Sequence, residues 1–230
     1  MKKTAKDLDQ VLGGLLEEHK GMEGNHDKDD HEEDFMDVMI SILDGDEEIS
    51  SYDAHTIIKS TCLAFILGGS DTTSVTMTWA LALLLNNREA LRRVQQELDD
   101  NVGRERQVRE SDVKNLVYLR DVMKETLRLY PAGLLLLGPH VSLENCTVGG
   151  YHISASTRLL VNASKLHRDP NVWLDPCGFS PERFLTPHKD VEVKGQNFQL
   201  IYSAPGELPT VFLFSFSQNL AYSFYKLCSA

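Results

Sequence analysis

Apolar positions recur at helical spacing along much of the chain. Leu8, Val11, Leu12, Leu15 and Leu16 mark one face of a helix over residues 4–20. Phe35, Val38, Met39 and Leu43 predict a short helix, and residues 53–85 read as a single long one. Leu91, Val94 and Leu98 share a face between Arg88 and Val102. "ESDVKNLVYL" is a short helix or turn, and Val117 to Leu129 is a third strong helix, stopped by Pro131. Beyond Pro131 the texture changes. "LLLLGPH", "CTVGGYHI" and "TRLLVNA" are short β-leaning pieces with a Gly-Gly turn, so a small β element is predicted within 134–163. "HRDPNVWLDPCGFSPERF", punctuated by three prolines, reads as loop. The pattern predicts a mainly α chain with a small β element.

One stretch conflicts with its own pattern. "AFILGGSDTTSVTMTWALALLL" (Ala64 to Leu85) is apolar, yet it holds Gly68, Gly69, Ser70, Asp71, Thr72 and Thr73. Each Gly costs about 1 kcal/mol against Ala inside a helix, and an unpaired buried carboxylate costs more. Residues 61–85 have the length of a membrane span, about 25 residues, but Asp71 near the centre would cost about 3 kcal/mol. A helix crossing the core of a domain fits better. Asp71 beside Thr72 offers a proton donor and a relay, and glycines let a ligand approach the backbone. Hydroxyl side chains open a helix by bonding to carbonyls one turn back. The plainer alternative is a helix–helix crossing at Gly68–Gly69, with Asp71 capped or paired.

The net charge of −11 is local rather than global: residues 17–53 hold fifteen acids and two bases. No basic face points to nucleic acid. His26 and His31 sit among the acids of "GMEGNHDKDDHEED", but their spacing suits a polar loop better than a fixed metal site. Cys62, Cys146, Cys177 and Cys228 lie far apart with no CxxC, which argues for a reduced compartment and against a disulfide scaffold or zinc site. "MKKTAKDLDQ" carries no apolar run after its lysines, so neither a signal peptide nor an N-terminal anchor is expected.

Charge also falls where apolar residues dominate. Glu125 and Arg128 in "KETLRLYP" stand three apart on one helical face, and "SPERF" adds Arg183. On an exposed helix the first two form an ion pair worth a few tenths of a kcal/mol. Val122, Met123, Leu127 and Leu129 favour a buried pair instead, to which Arg183 supplies further hydrogen bonds.

"GGSDTT", "ETLR" and "PERF", in this order, resemble the cytochrome P450 haem-thiolate monooxygenases, and more narrowly a plant microsomal member. "CTVGGYHI", "TRLLVNASKLHRDP" and "W…P..F.PERFL" resemble the connecting segments. The resemblance covers most of residues 1–201 and is strongest from Gly68 to Leu185; residues 1–201 are read as a partial haem-thiolate monooxygenase domain with a partial cytochrome P450 fold. Residues 202–230 form a divergent tail. It implies oxygen activation and proton relay by Asp71 and Thr72, and a structural triad of Glu125, Arg128 and Arg183. It also implies haem-facing positions at Gly68, Gly69 and His140, and substrate-facing ones at Ala64, Phe65, Ala132 and Leu135. His140 stands where many members carry an arginine that meets a haem propionate. The implied cofactor is haem. The implied partners are NADPH–cytochrome P450 reductase and a small lipophilic plant metabolite, at the cytosolic face of the endoplasmic reticulum membrane.

The resemblance stops short of the iron ligand. The family's loop F-x-x-G-x-R-x-C-x-G is absent, no cysteine lies between Cys177 and Cys228, and no arginine follows Arg183. No metal ligand is therefore assigned, and haem is not expected to bind this chain. The family's anchor and upstream helices are expected before Met1, which leaves the chain cytosolic or of unknown location. Two readings stand: a monooxygenase by descent that is inactive as written, and a truncated non-enzymatic fragment or interaction protein.

Overall fold

A computed structural model of the chain describes residues 2–23, 34–43, 53–106, 108–132, 140–191 and 199–201. The histidine-bearing acidic loop, Leu135 and the tail 202–230 lie outside the described residues. The described chain is mainly helical and forms two compact units whose boundary falls after Asp71.

The first unit holds α1 (Lys2–Glu23), α2 (Phe35–Leu43) and the start of α3 (Ala54–Asn86). Leu12 and Leu16 of α1 meet Met36 and Ile40 of α2 and Ile58 and Cys62 of α3 in one apolar cluster. Asp34 caps α2: its Oδ1 accepts the amides of Met36 (2.8 Å) and Asp37 (3.1 Å), while Asp37 Oδ2 accepts the Asp34 amide (3.0 Å). His19 stands between the same two carboxylates, with Nδ1 2.7 Å from Asp37 and Nε2 3.6 Å from Asp34. Its bond to Asp37 raises its pKa above the usual imidazole value, so the three groups satisfy one another as a cation between two anions. Asp53 starts α3, accepting from Thr56 Oγ1 at 2.7 Å and from the His55 amide at 3.2 Å.

The second unit contains the rest of α3, α4 (Arg88–Asn101), α5 (Glu110–Val113), α6 (Val117–Leu129), α7 (Ala163–Leu166) and a 3-10 turn at Pro181–Phe184. Its core joins Ala80 and Leu84 of α3, Val94 and Leu98 of α4, and Leu119, Val122 and Met123 of α6. Trp79 stacks on Tyr130 with ring centroids 3.9 Å apart. The β element is two short antiparallel ladders. β1 (His140–Val141) pairs with β4 (Arg158–Leu159), and β2 (Cys146–Val148) pairs with β3 (Tyr151–Ile153). Gly149 and Gly150, at φ +57° and +85°, make the two-residue turn between β2 and β3 that only such backbone angles permit.

Two local readings need correction. α7 arises within a stretch expected to be extended or loop. Asn162 accepts the Lys165 amide at 2.9 Å, an N-cap for a helix too short to show periodicity. The apolar middle of α3 is also not buried among the described residues: Phe65, Ile66 and Leu67 are each more than half exposed, and Gly68 through Asp71 are exposed too. The helix nevertheless runs unbroken through both glycines. No described helix is long and apolar enough to cross a membrane.

Nothing lies within 4 Å of a Cβ added at Gly68 or Gly69. Gly68→Ala and Gly69→Ala should therefore each stabilise α3 by about 1 kcal/mol. Thermal melting followed by far-ultraviolet circular dichroism checks this, and a drop in melting temperature would reveal a close contact at that surface.

Candidate functional site: a buried charge cluster

α6 is buried on all sides from Asp121 to Leu129 although it carries Asp121, Lys124, Glu125 and Arg128. A helix so enclosed must bring partners to its charges. Glu125 and Arg128 are fully buried, and the i, i+3 spacing turns both toward the loop after α7. Arg128 Nε and Nη2 donate to the two Glu125 oxygens at 2.8 Å each, a bidentate pair. The remaining donors go to backbone. Nη1 reaches the carbonyls of His167 (2.9 Å) and Pro176 (2.7 Å), and Nη2 that of Gly178 (3.0 Å). All five guanidinium N–H groups are thereby used.

Arg183 enters from the 3-10 turn. Its Nε lies 3.1 Å from both Glu125 oxygens. Its Nη1 donates to Leu174 O at 2.8 Å, and Nη2 to Asp175 O and Gly178 O at 3.3 Å each. The Ser180 amide adds a fourth donor to Glu125, at 3.0 Å. Trp173, fully buried, lies under both guanidinium groups at 5.3 and 6.0 Å. The structure thus brings Glu125, Arg128 and Arg183 into one closed cluster and wraps it in the carbonyls of residues 167–178.

His167 belongs to the same wall. It is fully buried, its Nε2 accepts the Ile201 amide at 3.1 Å, and burial pushes its pKa down to about 4.

The other sequence-assigned positions lie elsewhere. Ala64, Phe65, Gly68, Gly69 and Asp71 are exposed on α3, and Thr72 is half-buried. Thr76 is buried and donates to the Thr72 carbonyl at 2.8 Å, the turn-back bond anticipated for this stretch. Ala132 is half-buried, three residues past the end of α6. The backbone of His140 pairs with Leu159.

The described cysteines stand in three different settings. Cys62 lies in the apolar cluster of the first unit, and burial raises its thiol pKa, which opposes thiolate formation. Cys146 is exposed on β2, and Cys177 is exposed in the loop that cradles Arg128.

The Cytochrome P450 family model matches residues 1–201. The chain belongs to the cytochrome P450 family. Among curated relatives, cytochrome P450 CYP82D47 of Panax ginseng is 53% identical over 201 residues, covering 87% of this chain and 55% of the relative. Demethylepipodophyllotoxin synthase of Sinopodophyllum hexandrum is 55% identical, covering 87% and 38%, and flavonoid-6-hydroxylase of Ocimum basilicum is 52% identical, covering 87% and 37%. A zebra fish cytochrome P450 solved with progesterone superposes with a TM-score of 0.77 at 27% identity, over 97% of this chain and 50% of that one. The chain therefore spans about half or less of the length of these P450 relatives.

Sequence reasoning missed much of what completes the cluster. Trp173, His167 and the carbonyl wall carry no spacing signal, because a backbone acceptor can come from any residue type. The available hints were the prolines of the loop and the likeness of "TRLLVNASKLHRDP" and "W…P..F.PERFL" to the family's connecting segments.

Glu125→Ala should cost about 3–5 kcal/mol, because it strands two buried guanidinium groups; urea unfolding of the second unit measures it. Acidification has a definite sign at His167. Below pH 6.5 the unfolded imidazole takes a proton that the folded one refuses until about pH 4. Stability should therefore fall as pH drops from 6.5 to 4, by about 3 kcal/mol from this residue. His167→Gln should flatten that part of the stability–pH profile, as read from denaturant midpoints.

Proposed function

We propose that this chain is part of a haem-dependent monooxygenase that hydroxylates a small lipophilic plant metabolite with O2 and NADPH-derived electrons. We further propose that the 230 residues alone do not carry out the reaction. The observation that carries the reading is the closed Glu125–Arg128–Arg183 cluster, set in a chain of P450 sequence. Similarity to plant hydroxylases such as flavonoid-6-hydroxylase supports the substrate class. NADPH–cytochrome P450 reductase at the endoplasmic reticulum membrane is the proposed electron source.

When bound, haem supplies the oxygen chemistry of the family. The described residues do not fit it: Cys62 is buried in an apolar cluster that raises its thiol pKa, and Cys146 and Cys177 lie exposed at the surface. No catalytic step is therefore assigned to this chain. In a complete enzyme, Asp71 and Thr72 would hold and pass protons. Gly68, Gly69 and His140 would border the cofactor, and Ala64, Phe65, Ala132 and Leu135 the substrate. Here Asp71 stands exposed on α3.

The test is spectroscopic and kinetic. Purified chain supplied with haem, dithionite and carbon monoxide should give no thiolate-type Soret band. With reductase and NADPH it should give no oxidised product from lipophilic test substrates. Stoichiometric haem uptake with turnover would overturn the proposal and move Cys228 into the ligand role.

A further inference from the structure

We propose that α4 positions the buried charge cluster through two residues that never touch Glu125: Arg93 and Glu97. They stand four apart, the spacing at which such residues pair with each other on an exposed helix. Here each ties down a different part of the cluster.

Glu97 acts on α6. Its Oε1 accepts the Tyr118 amide at 2.7 Å and its Oε2 the Leu119 amide at 2.9 Å. The residue at the N-cap of α6 is Leu116, which offers no side-chain acceptor. Two of the amides that a helix start leaves open are therefore met by a carboxylate from a neighbouring helix. That carboxylate also places negative charge at the positive end of the α6 dipole. The helix so fixed carries Glu125 and Arg128.

Arg93 acts on the 3-10 turn. Its Nη1 donates to Glu182 Oε1 at 2.6 Å, and its guanidinium lies 4.6 Å over the Tyr118 ring. Tyr118 Oη donates to the same oxygen at 2.8 Å, and Ser180 Oγ to Oε2 at 3.1 Å. Burial alone would raise the Glu182 carboxyl. Hydrogen bonds from its own amide, Tyr118 and Ser180, together with the Arg93 charge, outweigh that and hold it below the ordinary carboxylate range. Glu182 is the chain neighbour of Arg183, so the turn is held through α4 at one residue and through Glu125 at the next. Arg93 and Glu182 stay nearly half open to water, so Glu97 carries the larger share. The inference concerns how the cluster is held and stands or falls apart from the catalytic reading.

The test uses the full chain labelled with 15N, and reads amide and arginine Nε–H exchange by nuclear magnetic resonance. In Glu97→Ala the Tyr118 and Leu119 amides should exchange at least tenfold faster, and Arg183 Nε–H should accelerate with them. Val94→Ala, a core truncation on the same helix, serves as the control for general destabilisation. It should leave Arg183 Nε–H no faster than the global unfolding rate allows. Glu97→Gln, which keeps one acceptor oxygen, should recover part of the protection. If Glu97→Ala does not fold, Arg93→Ala is read in the same way, and should loosen Arg183 Nε–H more than Arg128 Nε–H. Unchanged Arg183 exchange in the folded α4 variants, or equal acceleration in Val94→Ala, would overturn the proposal.

Discussion

A single carboxylate organises the second unit. Glu125 is fully buried between two guanidinium groups, so the trio carries a net positive charge inside the protein. Leaving water costs each ion several kcal/mol, which attraction alone does not recover without near-complete hydrogen bonding. The loop after α7 supplies the missing partners. His167, Leu174, Asp175, Pro176 and Gly178 all aim carbonyls at the two arginines. The composition of this loop follows from that demand. A proline contributes a carbonyl without adding an N–H that would need its own acceptor, and Pro176 makes the shorter of the two bonds to Arg128 Nη1.

The long elements were legible because they obey one period over many turns. α3 begins after Asp53, whose side chain caps it, and α6 ends two residues before Pro131, both as the sequence indicates. α7 was not legible, since four residues cannot display a period and its one signal is the Asn162 cap. The Glu125–Arg128 pair could be read from spacing alone. Arg183, 55 positions after Arg128, was a candidate because a buried pair needs further donors, and the resemblance assigned it to the triad. Tyr118, Glu97 and Arg93 remained hidden, because nothing in a helical face reveals which neighbour will accept its bonds.

The middle of α3 shows the converse limit. The apolarity of Phe65, Ile66 and Leu67 pointed to burial, yet all three are exposed here. Apolarity states what a side chain prefers and not what is present to cover it. The same segment carries the glycines and Asp71 that first drew attention. That composition matches the "GGSDTT" stretch by which the sequence resembles its family, and Gly68 to Asp71 are exposed.

The loop around the cluster looks like ordinary surface chain: it is irregular, rich in proline, and its Leu174 is 88% exposed. Connections of that kind usually tolerate insertion and deletion freely. This one should not. Its carbonyls are registered against two rigid guanidinium forks, so one added or removed residue between Arg168 and Cys177 would swing several acceptors out of line together. Over evolutionary time the segment should drift in side chain and hold its length, behaving as interior backbone that happens to lie near water.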